Sequence, residues 1–370
     1  MVAVEGPEYD VVVVGGGPAG LSAALVLSRA RRRVAVVDAG SPRNALATHM
    51  QGFLSRDGTP PGELAAAGRS EITGYGGEVV EDRVEGAERA GGDGSGFLVR
   101  LADGRVLRAR RLLVATGLRD ELPDLPGLSE RWGEDVLHCP YCHGYEVRDT
   151  PLGVLGTMDG SVHQALLIRN WSQDVVFFPH TLGLAGHERE ELDARGVRVV
   201  EGEVERLVVD GGRLRGVRLA DGTVVPRDTL FVSPRFVAND ELLVALGCGS
   251  DEDGSAEADS FGCTSLPDVW VAGNVVDPAA QVVDAVSQGS RAAVAINGDL
   301  VDEEVRRAVG ERRAARGGNG GRAARAGRRG AASPHQCCFA APVLLRRRGA
   351  IPPVRRPGRA GPAAGGGRWR

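Results

Sequence analysis

Four consecutive valines at residues 11–14 run into Gly15-x-Gly17-x-x-Gly20, and an Ala- and Leu-rich stretch at helical spacing follows over residues 18–31. An unbroken β-branched run predicts a strand buried on both faces. Gly15 permits a tight turn, Gly17 lets backbone approach a pyrophosphate, and Gly20 lets helix and strand pack closely. The helix N-terminus, at Pro18 and Ala19, supplies a partial positive charge to a phosphate. A second strand, residues 34–37, ends at Asp38, eighteen residues after Gly20, where its carboxylate can accept from a ribose hydroxyl. In a chain with 54 glycines the spacing alone is weak. Strand, helix and carboxylate in the right order make it a dinucleotide-binding βαβ unit.

The same order recurs. After the first unit come a hairpin over 97–107 around Asp103-Gly104, expected as a type I′ turn, and a buried strand over 111–117. Later come a strand at 152–156, a helix at 161–171 and a strand at 174–178. A hairpin at 214–225 around Asp221-Gly222 and a strand at 229–233 complete the second series, and both hairpins carry Leu-Ala-Asp-Gly. A strand at 268–272, a Gly turn and a long helix at 280–300 close the folded part. The prediction is an α/β fold of two Rossmann-like domains, each with a β-hairpin insertion, the second inserted into the first. Residues 1–119 and 240–309 form one domain and 120–239 the other. Residues 310–370, rich in Arg, Gly, Ala and Pro without hydrophobic period, are expected to be a disordered basic tail; out-of-frame reading of GC-rich DNA gives the same composition.

Charge follows this division. Residues 310–370 hold fifteen of the 45 basic residues and one of the 49 acidic ones, so the body is at −18 and the tail at +14. An acidic body argues against nucleic acid as partner. No apolar run has the length of a membrane span, and the acidic N-terminus is not a signal peptide. A cytoplasmic location is therefore expected.

The chemical centre is His138-Cys139-Pro140-Tyr141-Cys142-His143. Two cysteines at this spacing cycle between dithiol and disulfide, the thiolate being the nucleophile. Either flanking histidine can exchange a proton near neutral pH. Zinc would need four ligands, and no second CxxC is present, so no metal is expected.

These segments resemble those of the low-molecular-weight thioredoxin reductase family. Thr116-Gly117 ending a strand, and Gly273-Asn274 followed by Asp277, resemble the other FAD-contact motifs of two-dinucleotide flavoproteins. CxxC placed after the first flavin segments and before the second nucleotide-like unit is the family's order. The resemblance implies FAD held by Gly15, Gly17, Pro18, Ala19, Gly20, Asp38, Thr116, Gly117, Gly273, Asn274 and Asp277. It implies electron exchange between the flavin and Cys139–Cys142, a thioredoxin-like protein or small disulfide or dithiol as substrate, and a homodimer. In that family an acidic residue following the second cysteine donates the proton; here His143 takes the role.

Two departures strike the NADPH site. Met158 stands where backbone must approach the pyrophosphate, and Phe177-Phe178-Pro179-His180-Thr181-Leu182 lacks the arginine pair that grips a 2′-phosphate. Asn274 stands for an Asp in the late flavin motif, where it can still bond a ribityl hydroxyl. NAD(P)H is the leading electron partner because the fold supplies a domain for it. The alternatives are the NADPH-independent dithiol oxidases, which use dioxygen, and a ferredoxin-linked reductase. A flavin-containing sensor without turnover is a reading of a different class.

Overall fold

Alternate residues of the valine run serve two different cores. The computed structural model describes residues 8–90, 96–250 and 256–317. In it β1 (Glu8–Val14) sends Val11 and Val13 into one hydrophobic cluster and Val12 and Val14 into another. A strand buried on both faces needs parallel neighbours covered by other layers. Here they are β2 (Val34–Asp38) and β6 (Val106–Val114), registered as Val14 with Val37 and Val114. The helix α1 (Pro18–Arg29) links β1 to β2 with proline at its first turn, and ends before Arg31, which takes a left-handed φ of 64°.

The first sheet has the order β3-β2-β1-β6-β5-β4, with β3 (Glu78–Glu81), β4 (Val84–Arg89) and β5 (Phe97–Leu101). α2 (Pro61–Gly74) crosses from β2 to β3. Near its end β6 also pairs with β17 (Val269–Val271), in parallel.

The second sheet repeats this plan. β9 (Leu152–Leu155), β10 (Val175–Phe178) and β11 (Arg198–Val199) lie beside β15 (Thr229–Val232) and β8 (Val136–Leu137) in the order β11-β10-β9-β15-β8, all parallel. α4 (Ser161–Ile168) and α5 (Gly186–Ala194) are its crossovers. A three-stranded antiparallel sheet of β12 (Val204–Asp210), β13 (Arg213–Leu219) and β14 (Val224–Val225) takes the place of the first hairpin. The position that β17 fills in the first sheet is filled in the second by β8 (Val136–Leu137), which precedes it in the chain. The chain passes between the halves through β7 (Leu118–Glu121) and β16 (Arg235–Ala238), paired as an antiparallel ribbon.

The first hairpin turn differs from the expected type I′, and the second shares its geometry. Gly104 N–H donates to Leu101 O and Leu101 N–H to Arg105 O; Gly222 and Leu219 repeat this with Leu219 and Thr223. Positive φ falls on Gly104 (89°) and Gly222 (90°) and not on the preceding aspartates. The loops therefore have three residues with glycine at the left-handed third position, where a two-residue I′ turn would need positive φ at both central residues.

The C-terminal helix is longer than expected. Following α6 (Glu241–Leu246) and β17, α7 runs from Val282 to Gly317, so residues 310–317 are helical rather than disordered. Arg, Glu and Ala, all good helix formers, favour the extension, and ion pairs hold the helix just before it. Arg111, whose side chain is 7% exposed, pairs with Asp268, Asp299 and Glu303, while Arg110 pairs with Asp10, Glu303 and Glu304. The rest of the expected tail, 318–370, lies outside the described residues.

Candidate active site

A cavity of about 710 Å³ opens over the C-terminal ends of β1 and β6. Gly15, Gly17, Pro18 and Ala19 line it, with Asp38 on one side and Thr116 and Gly117 on another. Gly15 adopts φ 107°, and a side chain on it would strike Ala115 O. At Gly17 an added Cβ would meet nothing within 4 Å, so the backbone here is bare towards the cavity. Gly20 is not a wall residue: a Cβ on it would sit 1.9 Å from Gly15 O, so its role is close packing of helix on strand. No side chain caps α1, whose first N–H groups are left for a ligand. Asp38 is 8% exposed, accepts from Gly40 N–H at 3.2 Å, and is gripped by Arg69 of α2.

The late motif splits. Gly273 and Asn274 line the cavity; Asp277 does not. The Asp277 carboxylate accepts from Gln288 Nε2 at 2.7 Å, and Gln288 Oε1 accepts the Gly273 N–H at 2.7 Å. Asp277 thus positions the glycine turn through Gln288. The Asn274 amide nitrogen donates to Asp277 O at 3.0 Å and Ala280 O at 2.9 Å, which leaves its oxygen to accept from a ligand hydroxyl. The expected wall residues therefore fit a dinucleotide flavin: bare backbone at a helix N-terminus, a carboxylate at the far end of the second strand, and polar groups along the cavity.

Cys139, Cys142 and His143 line that same cavity. The cysteines are joined, with Cα atoms 5.2 Å apart. Pro140 opens a single helical turn, α3 (Pro140–His143), in which the Cys142 N–H donates to Cys139 Sγ at 3.2 Å. Gly144 follows because a side chain there would collide with Trp171, whose indole meets Tyr141 edge-on at 5.7 Å. Tyr141 and Tyr145 are 62% and 65% exposed beside the pair.

Burial lowers the pKa of His143, opposed by the Glu146 carboxylate, so its imidazole is held neutral near pH 7. Glu146 accepts from Gln51 Nε2 at 3.2 Å. His138 also lines the cavity and is lowered mainly by burial, although its Nδ1 lies 3.3 Å from Val232 O. The Gln164 amide donates to His138 O at 2.8 Å. Sequence reasoning missed Arg43, Gln51, Gln164 and Phe236, none of which stands in a motif.

In the second half, the turn at 156–161 is closed on itself. Ser161 Oγ accepts both the Thr157 N–H at 3.1 Å and the Met158 N–H at 3.2 Å. Thr157 Oγ1 donates to Ser233 O at 2.8 Å. After β10, His180 Nδ1 accepts the Val204 N–H at 2.9 Å.

Comparisons with known proteins bear on the family and the fold. The profile of the family described as pyridine nucleotide-disulphide oxidoreductase matches residues 9–289. Thioredoxin reductase sirT of Leptosphaeria maculans is 30% identical over 305 residues, covering 78% of this chain and 93% of its own. The crystal structure of HlmI superposes with a TM-score of 0.80 at 58% identity, over 84% of this chain and 97% of that one. That of an oxidoreductase from Agrobacterium tumefaciens gives 0.74 at 36% identity, over 80% and 99%. Among the described residues no helix is long and apolar enough to cross a membrane.

Proposed function

The chain belongs to the pyridine nucleotide-disulphide oxidoreductase family, FAD-binding enzymes acting on sulfur groups, and from that premise we propose that it passes electron pairs between Cys139–Cys142 and a protein or small-molecule dithiol or disulfide. The observation that carries this is the presence of the cysteine pair in the wall of the cavity lined by Gly15 and Gly17. FAD, when bound, supplies the two-electron carrier between the pair and the external electron partner.

The residues act as follows. A substrate thiolate attacks one sulfur of the Cys139–Cys142 bond, giving a mixed disulfide and releasing the other cysteine as thiolate. The substrate's second thiol attacks the mixed disulfide, closes the substrate disulfide and leaves both cysteines reduced. His143, neutral because it is buried, accepts a thiol proton at an imidazole nitrogen. The Cys142 N–H stabilises negative charge on Cys139 Sγ.

Of the possible electron partners, dioxygen is favoured over a nicotinamide by Ser161. A pyrophosphate would need the N–H groups of Thr157 and Met158, and Ser161 Oγ already takes both. His180, where a 2′-phosphate ligand is expected, accepts the Val204 N–H instead. The net reaction removes two sulfhydryl hydrogens from the dithiol, forms its S–S bond, and delivers two electrons and two protons to dioxygen, giving hydrogen peroxide.

The test is anaerobic. Flavin-loaded protein is mixed with NADPH, NADH or dithiothreitol while the flavin absorbance is followed. Bleaching by dithiothreitol alone, with peroxide appearing on re-aeration, is expected. Rapid bleaching by NADPH would overturn the dioxygen reading and leave a reductase. A homodimer belongs to the same reading: on α7, Val294, Val301 and Val305 share one helical face and are 52%, 42% and 54% exposed.

A further inference from the structure

Among the described residues, only the two strands of the ribbon, β7 and β16, carry the chain between the first and second sheets, each four residues long. A two-stranded ribbon of this length is by itself a weak constraint. Side chains therefore have to hold the cysteine pair against the cavity, and one stack spans the required path. Arg43 opens the 3₁₀ turn Arg43–Leu46 in the cavity wall. Its guanidinium donates from Nε and Nη2 to the two oxygens of Asp120 on β7, at 2.9 and 2.7 Å. The same guanidinium lies over the ring of Phe236 on β16, 5.1 Å from its centroid. Phe236 in turn meets the ring of His138 edge-on, 84° apart in plane and 5.1 Å between centroids. His138 is the residue before Cys139.

We propose that Arg43 is a positioning residue which, through Asp120 and Phe236, clamps both strands of the ribbon and fixes His138–Cys139 at the cavity. The chemistry suits arginine specifically. A planar fork bonds a carboxylate with two parallel N–H groups while its face stacks on an aromatic ring; an ammonium cannot do both. The clamp also has a second point of contact, since Gln51, a few residues on in the same segment, bonds Glu146 on the far side of the pair. The segment that lines the cofactor cavity thus grips the cysteine turn from two flanks.

This inference rests on the proposed exchange between the thiol pair and the flavin, and the experiment separates the two. Flavin-loaded wild type, Arg43→Gln, Phe236→Leu and Phe236→Tyr are compared for bleaching by dithiothreitol without oxygen. The alkylation rate of the reduced cysteines by iodoacetamide is measured in parallel. Phe236 does not line the cavity, so its variants are expected to keep flavin content and melting temperature. Bleaching should slow by about 10- to 100-fold in Arg43→Gln and Phe236→Leu, the scale of an ångström-sized misplacement of reacting groups. Alkylation should become faster as the pair leaves the wall. Phe236→Tyr should restore both, and an Arg43→Gln/Phe236→Leu double variant should be no slower than the slower single one. Wild-type bleaching in Phe236→Leu overturns the proposal, as does slower bleaching with unchanged alkylation. If Arg43→Gln loses flavin, Phe236→Leu decides alone. If wild type is not bleached by dithiothreitol, the exchange reading fails, whereas the alkylation comparison still tests the clamp.

Discussion

The backbone N–H of Cys142 donates to the sulfur of Cys139 at 3.2 Å, which makes the two cysteines electrostatically unequal. A hydrogen bond to the charged form lowers a thiol pKa. In the reduced protein Cys139 should therefore be alkylated by iodoacetamide before Cys142 at pH near 7, as mass spectrometry of the labelled peptides would reveal. Preferential labelling of Cys142 would contradict the assignment.

His143 makes the pH dependence predictable in sign. Burial, only partly offset by Glu146, keeps its pKa below the ordinary value, so the neutral base persists as the solution is acidified through that value. Turnover should fall only below pH about 6.5, as His143 gains its proton. His143→Gln should lower the rate by about 10²-fold or more, the usual scale of a general base, and flatten that acidic limb. A limb unchanged in His143→Gln would assign it to another group.

Ser161 is expected to matter for stability and not for turnover. Ser161→Ala leaves two turn N–H groups without their acceptor, which should cost about 1–2 kcal/mol in urea denaturation. Dithiol-driven flavin bleaching should stay at the wild-type rate. A large loss of that rate would mean that the 156–161 turn takes part in the reaction.

Arg111, on β6 of the first sheet, anchors α7. With its side chain 7% exposed but its three carboxylate partners 28–38% exposed and free to rehydrate, Arg111→Leu should destabilise the protein by about 1–3 kcal/mol. The Glu303 pKa is held low by Arg111 and Arg110 against the cost of its own burial, and that of Glu304 by its hydrogen bond from Arg32 and by Arg110. Depressed carboxylates stabilise the fold above their unfolded pKa, and that contribution disappears as pH falls through the folded value. Acid unfolding should accordingly begin below pH about 4.3, and in Glu303→Gln the dependence on pH should be shallower. A wild-type pH profile in that variant would show the pairing to be unimportant.

Val301→Asp tests association. A charge placed in the exposed valine face of α7 should convert a dimer to a monomer in light scattering, with flavin retained. An unchanged mass would put any dimer contact elsewhere.

The first βαβ unit was legible because its signals are local. β-branched residues, glycine spacing and a strand-end carboxylate lie within thirty positions, and each states its own backbone demand. The second sheet was legible for the same reason, as were the CxxC turn and its histidine. Element ends were less so. The three-residue hairpins and the extension of α7 depend on backbone torsions and on ion pairs with distant residues such as Arg111.

Sequence alone determined the α/β class, the repeated plan of two nucleotide-type sheets, and the candidate residues for cofactor and thiol chemistry, because these follow from periodicity, glycine positions and functional groups at short range. Tertiary structure decided which of those residues meet. It brought Cys139 and Cys142 into the wall built by Gly15 and Gly17, withdrew Asp277 behind Gln288, and turned Ser161 onto the N–H groups of Thr157 and Met158. It also joined Arg43 to Asp120, 77 positions away, and to Phe236 further on. Such contacts leave no trace in local spacing, since a hydrogen bond or a stacked ring is specified by where two elements lie in space and not by what stands beside each residue in the chain.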